Sequence, residues 1–438
     1  MHANSSSPIL LHHSPRRAAL LGLGLIACSP LPAIDDALAP RSSEDELVSI
    51  SLGEDTTCAT TLLGDAVCWG RGARGRLGQG DGSIADADEP SVLPRLELGQ
   101  GATTVVSSGA QGYALLLDGH VRAFGPNDAG ELGLGHSETI GDDETPAGAS
   151  MSTIVPLDDV AVELGAGDGF ACARLVDGRI QCWGWGERGQ LGRGPLTGVQ
   201  GPADVALGGV ATRLAVGGAH ACARLEGGAV RCWGDGAVGQ LGYGTTTASG
   251  VPPAQAGDVP LGGAAVDVVA GAAHACALLV SGSLRCWGAN DSGQLGLGHT
   301  QAIGDDETPD QAGAVGLPGP VLEVAAGRQH TCARLEGGVL RCWGEGGLGQ
   351  LGLDHRDSIG DDELPLAVAA IDLEGLPVDA IFTGPLADHS CARLIDGGTR
   401  CWGQGRHGQL GLGFVDPIDP VEGPPGDLPD VIIVEDPD

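Results

Sequence analysis

Thirteen cysteines are the residues of this 438-residue chain best suited to chemistry, and twelve of them share one spacing. Cys58 and Cys68, Cys172 and Cys182, and Cys222 and Cys232 lie ten residues apart. So do Cys276 and Cys286, Cys332 and Cys342, and Cys391 and Cys401, while Cys28 stands alone. Two strands joined by a three-residue loop such as Glu226-Gly227-Gly228 put the members of such a pair directly opposite. Opposed residues on antiparallel strands have Cα atoms about 4.5–5.5 Å apart, within the span of a disulfide. Where the pattern lapses both members lapse together, at Tyr113 and Ala123, as pairing inside one hairpin requires. Loop entropy puts each bridge at roughly 2.5–3 kcal/mol, an upper figure because the hairpin already forms locally. Zinc is a competing chemistry, although it wants four ligands with cysteines about two to four residues apart. Reduced, buried thiols are the third.

His220, His274, His330 and His389 each precede the first cysteine of a pair by two residues, with Thr56, Gln111 and Phe170 in that place elsewhere. Four imidazoles around a pore would suit a metal ion. Phenylalanine in the same place favours a structural hydrogen bond instead. Three loops repeat an Ile-Gly-Asp-Asp-Glu motif that ends in Asp142, Asp143 and Glu144; Asp305, Asp306 and Glu307; and Asp361, Asp362 and Glu363. Each follows a histidine (His136, His299 or His355) and comes just before a proline. Clustered carboxylates beside glycine can hold calcium, but the spacing is not that of an EF-hand and lacks its bidentate glutamate. Solvated turns are the expectation, with calcium the alternative; no metal and no cofactor is expected.

Composition excludes several functions. Aspartate and glutamate number 57 against 23 basic residues, all arginine, for a formal charge of −34. Such a surface repels phosphate backbones, so nucleic acid is not an expected partner. The absence of lysine removes Schiff-base chemistry and any Walker-type phosphate site. No Gly-x-Ser-x-Gly or His-Glu-x-x-His motif occurs, and nothing singles out a glycosidase-type carboxylate pair. Binding rather than catalysis is the expectation.

The amino terminus reads as an export signal. Arg16 and Arg17 precede an apolar run from Ala18 to Ala27, too short to span a bilayer, and then Cys28. Leu25-Ile26-Ala27-Cys28 resembles the lipobox of bacterial lipoproteins, which implies that Cys28 is lipidated and becomes the first mature residue. Ordinary cleavage nearby is the alternative. Ser29 after the cysteine resembles outer-membrane sorting in Gram-negative bacteria. Residues 29–46, with Pro30, Pro32, Pro40, Ser42 and Ser43, read as a flexible tether. The expected organisation is a signal over 1–28, a tether over 29–46 and a repeat domain over 47–438. An exported outer-membrane or cell-surface lipoprotein is expected, with periplasmic or secreted protein as alternatives. The oxidising compartment suits disulfides.

The elements that must hold these residues are repeats. Trp-Gly recurs at 69–70, 183–184, 233–234, 287–288, 343–344 and 402–403, with Phe124-Gly125 in its place once. Each is followed by Gly-x-Leu-Gly, at 75–78, 130–133, 189–192, 239–242, 293–296, 349–352 and 408–411. In the fourth unit Thr212–Val216, Ala221–Leu225 and Ala229–Trp233 read as strands, and Val205-Ala206-Leu207 as the last strand of the unit before. Four strands per unit follow. One such sheet cannot bury both faces, so units must stack, and seven four-stranded units suit a propeller. Leu47–Leu52 and Val431-Ile432-Ile433-Val434 read as terminal strands that could close the ring by sharing a blade. The repeated tryptophans belong to the core. Trp185 lies outside the repeat position and is expected as a packed loop residue, with an exposed contact as the alternative.

The string Gly-x-x-His-x-Cys-Ala-x-Leu-x-x-Gly-x-x-x-Cys-Trp-Gly-x-Gly-x-x-Gly-Gln-Leu-Gly, complete at 217–242, resembles the regulator of chromosome condensation repeat. The resemblance covers roughly residues 47–415 and implies an all-β, seven-bladed propeller. The family's founder is a nucleotide exchange factor for a small GTPase that binds chromatin, and no exchange motif is found here to carry over. Secreted bacterial relatives bind proteins, which fits an exported acidic chain better. The resulting expectation is a cell-envelope or surface-anchored protein-binding or adhesion scaffold, not an enzyme. Its inter-blade loops would bind an unknown protein or envelope polymer, and it would meet the membrane only through a lipid anchor. An extracellular enzyme using funnel carboxylates on polysaccharide or peptide is the second reading, and a nucleotide exchange factor the third.

Overall fold

The computed structural model describes residues 47–81, 89–248, 250–413 and 425–431; Cys28, the leader and the tether lie outside them. Short apolar runs punctuated by glycine fold here into seven antiparallel sheets, each from one unbroken stretch of chain. Blade 1 comprises Leu47–Leu52, Thr56–Thr61 and Ala66–Gly70, and blade 2 comprises Ala102–Ser107, Gly112–Leu116 and Val121–Phe124. Blade 3 has Ala161–Ala166, Phe170–Leu175, Ile180–Trp185 and Val199–Asp204. Blade 4 has Ala211–Val216, His220–Leu225 and Val230–Gly234, and blade 5 has Ala265–Ala270, His274–Leu279 and Leu284–Gly288. Blade 6 has Val321–Ala326, His330–Leu335 and Leu340–Gly344, and blade 7 has Val378–Phe382, His389–Leu394 and Thr399–Gly403. The first strands line a central channel, with Ser49, Thr104, Glu163 and Arg213 on its wall.

Four strands per blade proves too many. Only blade 3 builds a full fourth strand among the described residues; blade 2 keeps an isolated Arg122–Ile154 bridge in which Ala123 also donates to the Thr153 carbonyl, and elsewhere the strand shrinks to one residue that donates its N–H to the first residue of the third strand. Leu96, Val155, Val259, Val315, Ile371 and Val431 do this toward Ala66, Val121, Val230, Leu284, Leu340 and Thr399, and Val205 does it toward Ile180. Proline lies within three residues of most of these positions (Pro94, Pro156, Pro260, Pro318 and Pro429) and cannot donate to a ladder.

Among the described residues no blade takes strands from both ends. Leu47–Leu52 pairs within blade 1, whereas Val431 pairs with Thr399 of blade 7, and residues 432–434 lie outside the described residues. The seam between blades 7 and 1 is closed by packing: Ile50, Leu52 and Trp69 share a core with Cys391, Leu410 and Val431.

The motif creates this packing. In blade 4 Cys222 opposes Cys232 and Ala221 opposes Trp233, so alternation sends Cys232 and Trp233 to opposite faces. Both are wholly buried, because each blade is sandwiched between two others. The indole of Trp233 donates to the Gln190 carbonyl of the preceding blade at 3.0 Å, and Trp287, Trp343, Trp402 and Trp69 do the same toward Gln240, Gln294, Gln350 and Gln409. The Gln-Leu-Gly loop of one blade therefore docks the tryptophan of the next.

Candidate functional site

The six cysteine pairs stand in register and are bonded. Cys58 is joined to Cys68 in blade 1, Cys172 to Cys182 in blade 3, and Cys222 to Cys232 in blade 4. Cys276 is joined to Cys286 in blade 5, Cys332 to Cys342 in blade 6, and Cys391 to Cys401 in blade 7. All twelve side chains are buried, so the sulfurs brace each hairpin from inside and offer no thiolate to a metal or a substrate. The Cα separations of 4.0–4.1 Å correct the 4.5–5.5 Å expected from a generic strand pair. The shorter spacing of Cys68, Cys182, Cys232, Cys286, Cys342 and Cys401 from their partners marks the non-hydrogen-bonded position, where opposed backbones come nearest.

The four histidines form no metal ring; each turns into the seam toward the next blade. His274 Nε2 meets Thr331 Oγ1 at 2.9 Å, His330 Nε2 meets Ser390 Oγ at 2.8 Å, and His389 Nε2 meets Thr57 Oγ1 at 2.8 Å. Each of these hydroxyls also bonds the carbonyl of Gln294, Gln350 or Gln409. A hydroxyl has one proton, and a carbonyl can only accept it. The hydroxyl must therefore accept from the histidine, which fixes the tautomer with the proton on Nε2. Burial holds all four rings neutral, with pKa values drawn down to about 4 at His220 and His330 and about 3 at His274 and His389. His220 is the exception in bonding. The matching residue of blade 5 is Ala275, and neither ring nitrogen of His220 has a hydrogen-bond partner. The nearby His274 backbone does not meet hydrogen-bond geometry.

The three acidic loops lie at the same end of the propeller, where the third strands finish. Ile140, Ile303 and Ile359 bridge Gly125, Gly288 and Gly344, and the backbone N–H of Gly80, Thr245 and Gly298 in the preceding blade donates to the glycine carbonyl of each loop. The three carboxylates of each loop gather within 4.8 Å. Burial first, and then a hydrogen bond to the neighbouring aspartate, pushes Glu144 and Glu307 up to about 7 and raises Glu363. The loops thus serve as inter-blade docking segments.

A groove of about 390 Å³ crosses blades 1 to 4 at this end. Glu54, Arg76, Asp168, Trp185, Glu187 and Arg188 line it. Trp185 is 36% exposed, contrary to the packed residue expected. Its backbone N–H bonds the Gly169 carbonyl and its ring lies on that glycine. At Gly169 φ is +70°, and a Cβ would come within 2.5 Å of the indole, so the position tolerates only glycine. Arg76 donates to the Gly109 carbonyl at 2.8 Å, and burial, followed by Arg71, lowers its pKa from the ordinary value. Glu54 pairs with Arg328 at 2.9 Å, and Arg328 pairs with Asp388 at 3.0 Å, which stitches blades 1, 6 and 7 together beside the channel mouth.

The channel carboxylates are engaged by arginines. Glu163 lies 2.7 Å from Arg174 and 3.3 Å from Arg213, Asp267 lies 2.8 Å from Arg213, and Glu323 lies 2.9 Å from Arg334. Sequence reasoning did not find this belt. Its signal was present in the arginine after Cys-Ala in several repeats, which sits one strand from the third residue of the channel strand.

A disulfide-braced, seven-bladed all-β propeller with a polar groove on one end is a repeat-built binding fold. The chain belongs to the RCC1-like domain family, whose pattern matches residues 82–427. It is 31% identical over 347 residues to the ultraviolet-B receptor UVR8 of Arabidopsis thaliana, covering 75% of this chain and 71% of the receptor. It is 31% identical over 194 residues to the human E3 ubiquitin-protein ligase HERC2, which is 40% of this chain but 4% of the ligase. Among solved structures it superposes on Prp20p of Saccharomyces cerevisiae with a TM-score of 0.63 at 22% identity, covering 88% of this chain and 87% of that one. Human WBSCR16 gives 0.62 at 17% identity, with 78% and 85% covered. Both likenesses show the fold.

Proposed function

We propose that this chain is an exported, envelope-anchored scaffold that binds a protein in the groove over blades 1 to 4. The observation that carries the reading is the groove itself: a tryptophan about a third exposed beside Arg76 and Arg188, on a floor fixed by disulfides and inter-blade hydrogen bonds. Tryptophan and arginine are the side chains that most often dominate binding energy, and a rigid floor lowers the entropy lost on association. Export is supported by the basic and apolar leader ending at Cys28 and by the cysteine pairs, which suit an oxidising compartment. The arginine-paired channel carboxylates argue against the polymer-degrading alternative.

The test is crosslinking capture with the mature full-length protein from envelope and secreted extracts, wild type against the double variant Trp185→Ala with Arg188→Ala. One saturable protein, lost in the double variant while melting temperature holds, supports the reading. Capture unchanged by the double variant, or turnover of an envelope polymer without capture, overturns it.

A further inference from the structure

The opposite end of the propeller is chemically different. There the hairpins joining second and third strands present bare aliphatic tips: Leu62 and Leu63, Leu117, Val176, Val280 and Ile395, all 57–71% exposed. They come from blades 1, 2, 3, 5 and 7, with Glu226 and Glu336 at the matching places in blades 4 and 6. Val48, Val162, Val266 and Leu322, near the starts of the first strands, are exposed alongside them. The tips are held in place. Leu117, Val176, Val280 and Ile395 donate their N–H groups to the residue before their own first strand, and the glycine carbonyls of Gly64, Gly119, Gly178, Gly228, Gly282 and Gly338 accept from the next blade. An aliphatic collar thus rings the channel on one end, while the groove and the acidic loops occupy the other. Soluble monomers leave large side chains singly exposed; a repeated ring of them marks a contact surface.

The chain enters the fold at the collar. Leu47, the first residue of blade 1, pairs with Thr61, next to the Leu62-Leu63 tip. Residues 29–46 precede it in the sequence. We infer that the collar is a membrane-contact surface, its aliphatic tips entering the outer layer of the bilayer that holds the Cys28 acyl chains. The direction of approach rests on the anchored reading above. The lipid surface is zwitterionic, because Asp118, Asp177 and Asp396 sit beside the tips, each accepting a turn amide. This orientation turns the groove away from the membrane, toward partners.

The intrinsic tryptophans make the test direct: six are fully or almost fully buried, and Trp185 lies on the far end. Mature protein carrying Val280→Trp or Glu187→Trp would be reconstituted in phosphatidylcholine vesicles with brominated acyl chains. The added fluorescence of V280W should shift to the blue and be quenched by the brominated lipid, and that of E187W should not. V280W that stays quenchable by aqueous iodide in vesicle-bound protein overturns the proposal. So does a blue shift without vesicles that grows with protein concentration, since a second copy would then cover the collar. Intact mass reads acylation of Cys28 separately. If the cysteine is unmodified the anchor reading fails alone, and the same vesicles decide the collar: quenching upholds it and no quenching overturns it.

Discussion

Replacing Ala275 by serine should stabilise this protein, because it supplies the hydroxyl that His220 lacks. At the three following seams a hydroxyl accepts from the histidine and donates to a glutamine carbonyl. Between blades 4 and 5 the other parts are in place: His220 is fully buried, and the Gln240 carbonyl already receives the Trp287 indole at 3.0 Å. Two new hydrogen bonds at a net 0.5–1.5 kcal/mol each give about 1–3 kcal/mol. Unfolding entropy of about 2.1 cal/mol/K per residue over about 385 residues is about 0.8 kcal/mol/K, so the melting temperature should rise by about 1–4 °C. Scanning calorimetry resolves that shift. The decisive comparison is a double-mutant cycle with His220→Phe, which copies the native Phe170 and Ala221 of blades 3 and 4. With phenylalanine opposite, the serine hydroxyl loses its donor and the gain should fall by at least half. No rise for A275S alone, or the same rise in both backgrounds, would mean that His220 is satisfied elsewhere and that the register argument is wrong.

Acid should weaken the fold through the same seams. The folded pKa values of the four histidines, about 3–4, lie below the unfolded value near 6.5, so the unfolded chain takes up protons first as pH falls. Their contribution is complete above pH 6.5 and is lost on the way down to about pH 3–4, at about 1.4 kcal/mol per pH unit for each histidine. Urea midpoints between pH 6.5 and 5 should fall steeply, and His274→Phe should flatten the slope by about a quarter; a flat profile would refute the assignment. Alkylation of denatured, unreduced protein should modify none of the twelve repeat cysteines, and labelling of more than one pair would show that the bridges do not form in the cell. Calcium should move the melting temperature by less than about 1 °C, since the acidic loops already have neighbouring-blade partners; a rise of several degrees would make them sites.

Much of the fold was legible because its information is local. A Trp-Gly and a Gly-x-Leu-Gly in nearly every unit fix seven hairpins, and the ten-residue cysteine interval fixes their register, seen as Cys222 opposite Cys232. What escaped is set between blades. The partners of His274, His330 and His389 lie 57, 60 and 332 residues away, so nothing near a histidine tells whether its hydroxyl exists. The same holds for the outer edge, where Val259 looks like part of a strand but makes one ladder bond. Trp185 was misjudged because burial of a residue just past the repeat depends on the loops of blades 1 to 4 together.

The undivided blades carry a consequence for how such a ring can change. A propeller whose last sheet borrows a strand from each end is locked to its count, because adding or losing a unit breaks the clasp. Among the described residues every sheet is whole within its own stretch of chain, and the seam between blades 7 and 1 uses the same tryptophan-to-glutamine contact as the seam between blades 6 and 7. Blades 3 to 7 and blade 1 are therefore joined by one kind of connector, which blade 2 interrupts: Phe124 replaces its tryptophan, and Trp183 Nε1 of blade 3 has no hydrogen-bond partner. Exchange of units between these five seams, or circular permutation at one of them, leaves the connector matched, so loops can be renewed without redesigning the closure.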